Sequence, residues 1–191
     1  AWLYNGGSTQ QIGLTGIRHT NSSIATHYNR VIALNDAGHV IGDAVQYDGA
    51  VSSGRSAWVY NGSSTQEIGL TDVFHSQSGF QNNNASVLNA DGQVAGIAER
   101  YLSPTGPVSG SSAWVYDGSA THEIGLTDAT HTREDGYQNN SVNKINALGQ
   151  VAGSAERFAY YGSLPLGMSA WLYDPLTDMT YNLDIPGTGQ T

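Results

Sequence analysis

The sequence predicts an all-β protein made of four-stranded antiparallel units repeated about every 56 residues, and three observations predict it. First, the phrase "AWVYNGSSTQEIGLT" from Ala57 is nearly copied from Ala1 and Ala113, and a diverged copy, "AWLYDPLTDMTYNL", starts at Ala170. Repetition at a fixed period is the mark of stacked supersecondary units. Second, another phrase recurs inside each period: "LNDAGHVIGDA" from Leu34, "LNADGQVAGIA" from Leu88 and "INALGQVAGSA" from Ile145. Third, 24 glycines, many Ser, Thr and Asn, and only 12% charged residues describe short strands joined by turns. No apolar stripe of 3.6-residue period has useful length, and glycine interrupts every candidate helix.

Each element follows from local chemistry. In "AWVYNG", Ala57 and Val59 alternate with Trp58 and Tyr60, the period-two pattern of a half-buried strand, and Asn61-Gly62 supplies the positive φ of a tight turn. "TQEIGL" returns as the partner strand. In "SVLNADGQVAGIAERY", Asp91-Gly92 separates a short strand ending near Asn89 from a longer one running from Gln93 to about Tyr101. Each period therefore holds four strands in two hairpins. A connection of about 15 residues follows the "IGLT" strand, and a shorter one of about 10 carries Gly/Ser/Pro segments such as "LSPTGPVSG". A four-stranded sheet repeated in this way predicts β-propeller blades, forming a partial or open propeller, with a three-sheet β-prism as the alternative.

"SAWVYDG…EIGLT" followed by "IN..GQVAG" resembles the HAF-type extracellular repeat of bacterial secreted and surface proteins, over residues 1–183. The resemblance implies blade-like repeats and an extracellular or cell-surface location. Its motifs are structural, so it implies no activity. The chain departs from the pattern in carrying Trp2, Trp58, Trp114 and Trp171 where Phe is common, and in the longer "LTDATHTREDGYQNN" segment.

Read as blades, the chain gives units at about 31–70, 86–126 and 142–183, preceded by a half blade at 1–14 that lacks the "LN" and "GQVAG" strands. A lone hairpin is marginal in water, and its open edge invites pairing. Three readings stay open: a segment of a longer repeat protein, association of copies through the half blade and the C-terminal end, or a three-sheet prism with the hairpin packed outside. The chain shows no initiator Met or signal peptide, which fits a processed form or a segment. The tail 184–191, "DIPGTGQT", has no copy and is expected to act as a linker or docking arm.

Charge narrows the partners. A net charge of −9 with seven Lys plus Arg leaves no basic stripe for phosphates, so nucleic acid is not expected as a partner. No apolar run is long enough for a transmembrane helix. The absence of cysteine removes disulfides and thiolate metal sites.

Three histidines, His19, His75 and His131, each lie 18 residues after an Ala-Trp start. Converging imidazoles could bind a metal, but equivalent loops of a blade array stand too far apart, and closure of each loop by its own His is the expected role. The same connections hold "HYNR", "FQNN" and "YQNN", whose aromatic and amide groups fit sugar stacking and hydroxyl recognition. His19, Tyr28, Asn29, His75, Phe80, Asn82, His131, Tyr137 and Asn139 are therefore the candidate glycan-binding set, with no metal, cofactor or catalytic residue expected. Glu67 and Glu123 are copied where the first repeat has Gln11, and Asp72 and Asp128 where it has Gly16. The Glu99-Arg100 and Glu156-Arg157 pairs fit cross-strand charge pairing. No nucleophile-elbow or zinc-helix motif stands out. The leading expectation is a non-enzymatic, secreted or cell-surface structural or adhesive protein that self-associates head to tail. The alternative is a multivalent glycan-binding module.

Overall fold

The computed structural model describes residues 1–4, 6–159 and 164–183; the tail at 184–191 lies outside the described residues. The chain is all-β, with one 3₁₀ turn at Ile17–His19 and no α-helix among the described residues. Strands β1 (Trp2–Tyr4) and β2 (Thr9–Gln11) form an isolated hairpin. Strands β3 (Asn29–Leu34), β4 (Val40–Asp48), β5 (Val51–Tyr60) and β6 (Thr65–Ile68) form an antiparallel sheet in chain order. A two-residue ladder, β7 (Ser76–Gln77) with β8 (Phe80–Gln81), precedes the next sheet. That sheet comprises β9 (Asn83–Leu88), β10 (Val94–Tyr101), β11 (Val108–Tyr116) and β12 (Thr121–Ile124). The last comprises β13 (Gln138–Ile145), β14 (Val151–Phe158), β15 (Pro165–Asp174) and β16 (Met179–Asn182). A short parallel pairing of Gly110 with Gln138 and Ser111 with Asn139 links the last two sheets, and none of the sheets closes on itself among the described residues.

Copied sequence produces copied register. Trp58 pairs with Glu67, Trp114 with Glu123, and Trp171 with Asn182; Trp2 takes the same place opposite Gln11. On the other side Trp58, Trp114 and Trp171 pair with Gly42, Gly96 and Gly153. These glycines are required by space: a Cβ on Gly96 would stand 2.4 Å from Cζ2 of Trp114 and 2.2 Å from the Asn84 carbonyl oxygen. The indole lies where that Cβ would be.

Apolar alternation predicts half-buried strands, yet every residue from Ser56 to Tyr60 and from Ser112 to Tyr116 is buried. The reason is that the inner sheets are covered on both faces. Trp58 and Tyr60 pack with Val40 and Ala44 against Leu3, Ile12 and Leu14 of the hairpin. Ile41, Ala57, Val59, Ile68 and Leu70 on the opposite face meet Val94, Ala98, Trp114 and Tyr116 of the next sheet. Ala95, Ala113, Val115, Ile124 and Leu126 then meet Val151, Ala155, Trp171 and Tyr173. Tight side-chain contact of this kind, together with removal of apolar area from water, holds the stack.

Polar ties repeat at the same junctions. The Gly13 amide donates to Thr65 Oγ1, Gly69 to Thr121 and Gly125 to Thr180. Tyr60 donates to Gln10 Oε1 at 3.1 Å and Tyr116 to Gln66 Oε1 at 3.0 Å. At the "LN" turns, Asn35 Nδ2 donates to the Asn89 carbonyl and Asn89 Nδ2 to that of Asn146.

Candidate functional site

Each long connection carries a buried histidine that anchors it. His75 is buried, its Nε2 2.9 Å from Ser112 Oγ on β11 and its Nδ1 2.8 Å from Asp72 Oδ2. His131 repeats this with Ser169 on β15 and Asp128, at 2.9 and 2.8 Å. His19 reaches Ser56 on β5 at 2.9 Å, but Gly16 replaces the aspartate. Each His thus ties its connection to the third strand of the following sheet. The Ser hydroxyls are themselves engaged: Ser112 donates to Glu123 Oε1 and Ser56 to Glu67 Oε1, both at 2.6 Å. Ser56 also accepts from Gln46 Nε2 at 2.8 Å, while the amide N–H of Gln81 donates to the side-chain oxygen of Gln46.

Electrostatics follow these contacts. Burial pushes the Asp72 carboxyl up, but the bonds from His75 and the Phe74 amide outweigh it and the net position is below the ordinary carboxylate range. Asp128 is likewise lowered against burial by Thr130 and His131. Burial lowers His19; Glu67 opposes the effect, and Arg18 and His27 add to it.

Asp72, His75 and Ser112 stand in the order of a hydrolytic triad, carboxylate on Nδ1 and hydroxyl on Nε2. The hydroxyl, however, is 1% exposed and donates to Glu123. A nucleophile must reach a substrate carbonyl, and this one is buried and committed to the Glu123 carboxylate on β12. The arrangement holds a connection in place.

The other sequence-derived candidates separate. Asn29 accepts the Leu14 amide through Oδ1 and donates to the Leu14 carbonyl through Nδ2. Asn83 and Asn140, outside the candidate set, do the same to Leu70 and Leu126. Asn82 and Asn139 donate to Glu99 and Glu156, and Asn139 also accepts from Ser111. Tyr28 is exposed. Tyr137 lies under the Arg133 guanidinium and edge-on to Phe158, and Phe80 lies under Arg18. Glu99 accepts from Tyr101, while Arg100 lies over Phe74 and 3.8 Å from Glu123. The three histidines keep separate partners, and among the described residues no group of three or more His, Asp or Glu could hold a metal ion.

One cleft of about 390 Å³ opens beside the first connection, lined by Ile17, Arg18, Thr20, Ser22, Tyr47, Asp48, Gly49 and Phe80. Of the candidate glycan set, Phe80 lines it. The residues that sequence reasoning missed are the anchoring serines Ser56, Ser112 and Ser169. Their signal is the copied triplet Ser-Ala-Trp, read there only as the start of a strand. Comparison with protein-family models and with curated proteins gives no match for this chain.

Proposed function

We propose that the chain is a non-enzymatic structural or adhesive β-repeat protein, secreted or surface-borne, whose four-stranded sheets serve as blades of an open, propeller-like stack. In this reading copies associate head to tail. The observation that carries it is a pair of matching end faces. Trp2 and Tyr4 are 68% and 69% exposed, whereas their counterparts Trp58 and Tyr60 are buried against the preceding unit. At the opposite end Ala170 and Leu183 are exposed, and Leu172 is partly so, although their counterparts Ala57, Ile68 and Val59 are buried against the following unit. Thr9 holds the position of the Thr that ties each internal junction, and Tyr4 that of the Tyr that ties the first two. The two faces therefore match part of a contact the chain already makes within itself, the half blade supplying the Trp and Tyr but no counterpart of Val40 and Ala44, and a heterologous contact of this kind extends or closes by repetition.

The interface rests on few large side chains, at the small end of specific contacts, so weak, concentration-dependent association is expected. Light scattering across a dilution series should show mass rising with concentration in the parent, and a Leu172→Glu variant staying monomeric. A parent chain that remains monomeric at about 1 mM, where even a weak specific contact would be populated, counts against the reading.

The second reading, glycan binding, is favoured by the cleft at Phe80, where two aromatic rings stand beside Arg18, Asp48, Thr20 and Ser22. Aromatic faces with nearby hydrogen-bonding groups suit a sugar ring. A glycan array should report binding that Phe80→Ala abolishes; a blank array removes this reading. Extracellular location draws its support from the HAF-like motifs, and a secretion assay of the native product tests it.

A further inference from the structure

The first connection lacks a group that the other two share. His75 and His131 each face an aspartate at Nδ1 and a serine at Nε2, so each ring can carry two N–H groups with both satisfied. His19 faces Ser56 at Nε2, and position 16 is glycine. The Ser56 hydroxyl donates to Glu67 and accepts from Gln46, leaving it to accept from His19. The neutral ring therefore carries its proton on Nε2, and a second proton would have to enter at Nδ1. We propose that residues 15–28 form an acid-released latch: protonation of His19 lifts this connection from Ser56, while the connections anchored by His75 and His131 stay seated.

The charges around His19 agree with that asymmetry. From its own connection it meets Arg18 and His27, both unfavourable to a new positive charge; from β6 it meets Glu67, which favours one. β5 contributes Ser56, β4 contributes Gln46 and β8 contributes Gln81, all uncharged. Burial is the largest influence and holds the imidazole below its ordinary value of 6.5. A histidine lowered on folding gives stability that is present above its unfolded value and fades as pH falls through it toward the folded one. The connection supplies Ile17, Arg18, Thr20 and Ser22 to the cleft wall, so its release also dismantles the cleft.

Hydrogen exchange of the whole chain between pH 7.5 and 5, corrected for intrinsic rates, tests the latch. Protection at the His19 and Asn21 amides, which bond the Gly16 and Thr26 carbonyls, should drop at least tenfold, with His75 and His131 unchanged. A Cβ at position 16 would meet nothing within 4 Å, so Gly16→Asp is admitted there and should restore protection at low pH. His19→Gln should make exchange in this connection independent of pH, which separates His19 from His27. Equal loss in all three connections, no rescue by Gly16→Asp, or a pH step that survives His19→Gln would each overturn the proposal.

Discussion

His75 and Ser112 lie 37 residues apart in the chain and 2.9 Å apart in space, the imidazole of a connection resting on the third strand of the following sheet. The same relationship joins His19 to Ser56 and His131 to Ser169. In each unit it fixes the long connection over the sheet that follows.

Removing the hydroxyl should therefore be costly. Ser112→Ala leaves the buried His75 Nε2 without this partner, while the exposed Glu123 can turn to water, and a loss of about 1–3 kcal/mol is expected. Urea unfolding of the variant measures it. A loss below the error of the fit would mean that the tie contributes nothing to the fold.

The Asn clamps should differ in strength with burial. Asn83 and Asn140 are buried on the Leu70 and Leu126 backbones, whereas Asn29 on Leu14 is only partly so. Asn83→Ala and Asn140→Ala should each cost about 2 kcal/mol, and Asn29→Ala less, because water can satisfy the freed groups there. Thermal unfolding of the three variants ranks them.

Gly96→Ala and Gly153→Ala would force a methyl group into the indoles of Trp114 and Trp171. Overpacking of this kind costs about 1–3 kcal/mol. Near-UV circular dichroism should change along with stability, since the ring itself must move. An unchanged spectrum would place the indole elsewhere.

Both ends of the pH range carry predictions. Asp72 and Asp128 are lowered in the fold, so their stabilising contribution is present above the unfolded carboxylate value and is lost as pH falls through the folded one. Urea midpoints should decline below about pH 4, and Asp72→Asn should flatten that decline. Tyr101 and Tyr173 are pushed up to about 12 by burial and by donating to Glu99 and Asp178. Raised values give stability that is intact below the ordinary value of 10.0 and lost as pH rises through the folded one. Ultraviolet titration should find these two phenols ionising last.

The all-β class and antiparallel hairpins are legible in the sequence because alternation and Asn-Gly or Asp-Gly turns are local signals. Gly62 and Gly92 do adopt positive φ in their turns. Two features are not legible. Burial of both strand faces depends on what lies above and below a sheet, which alternation within Ala57–Tyr60 cannot encode. The His–Ser ties join residues almost forty positions apart, and Ser56 looks like any strand serine until its partner is located. The copied Asp72 and Asp128 were visible, yet their absence from the first repeat acquires meaning only once they are found on the imidazoles. Likewise, an Asn-rich segment reads as a ligand surface until Asn29 and Asn83 are seen holding the backbone of Leu14 and Leu70.

Photo-cross-linking between isotopically distinct copies tests the central claim most directly. With benzoylphenylalanine in place of Tyr4 in light chains mixed with heavy ones, the account predicts light–heavy adducts at 150–157 and 168–183. Adducts confined to single chains, or light–heavy adducts scattered over other strands, would contradict it.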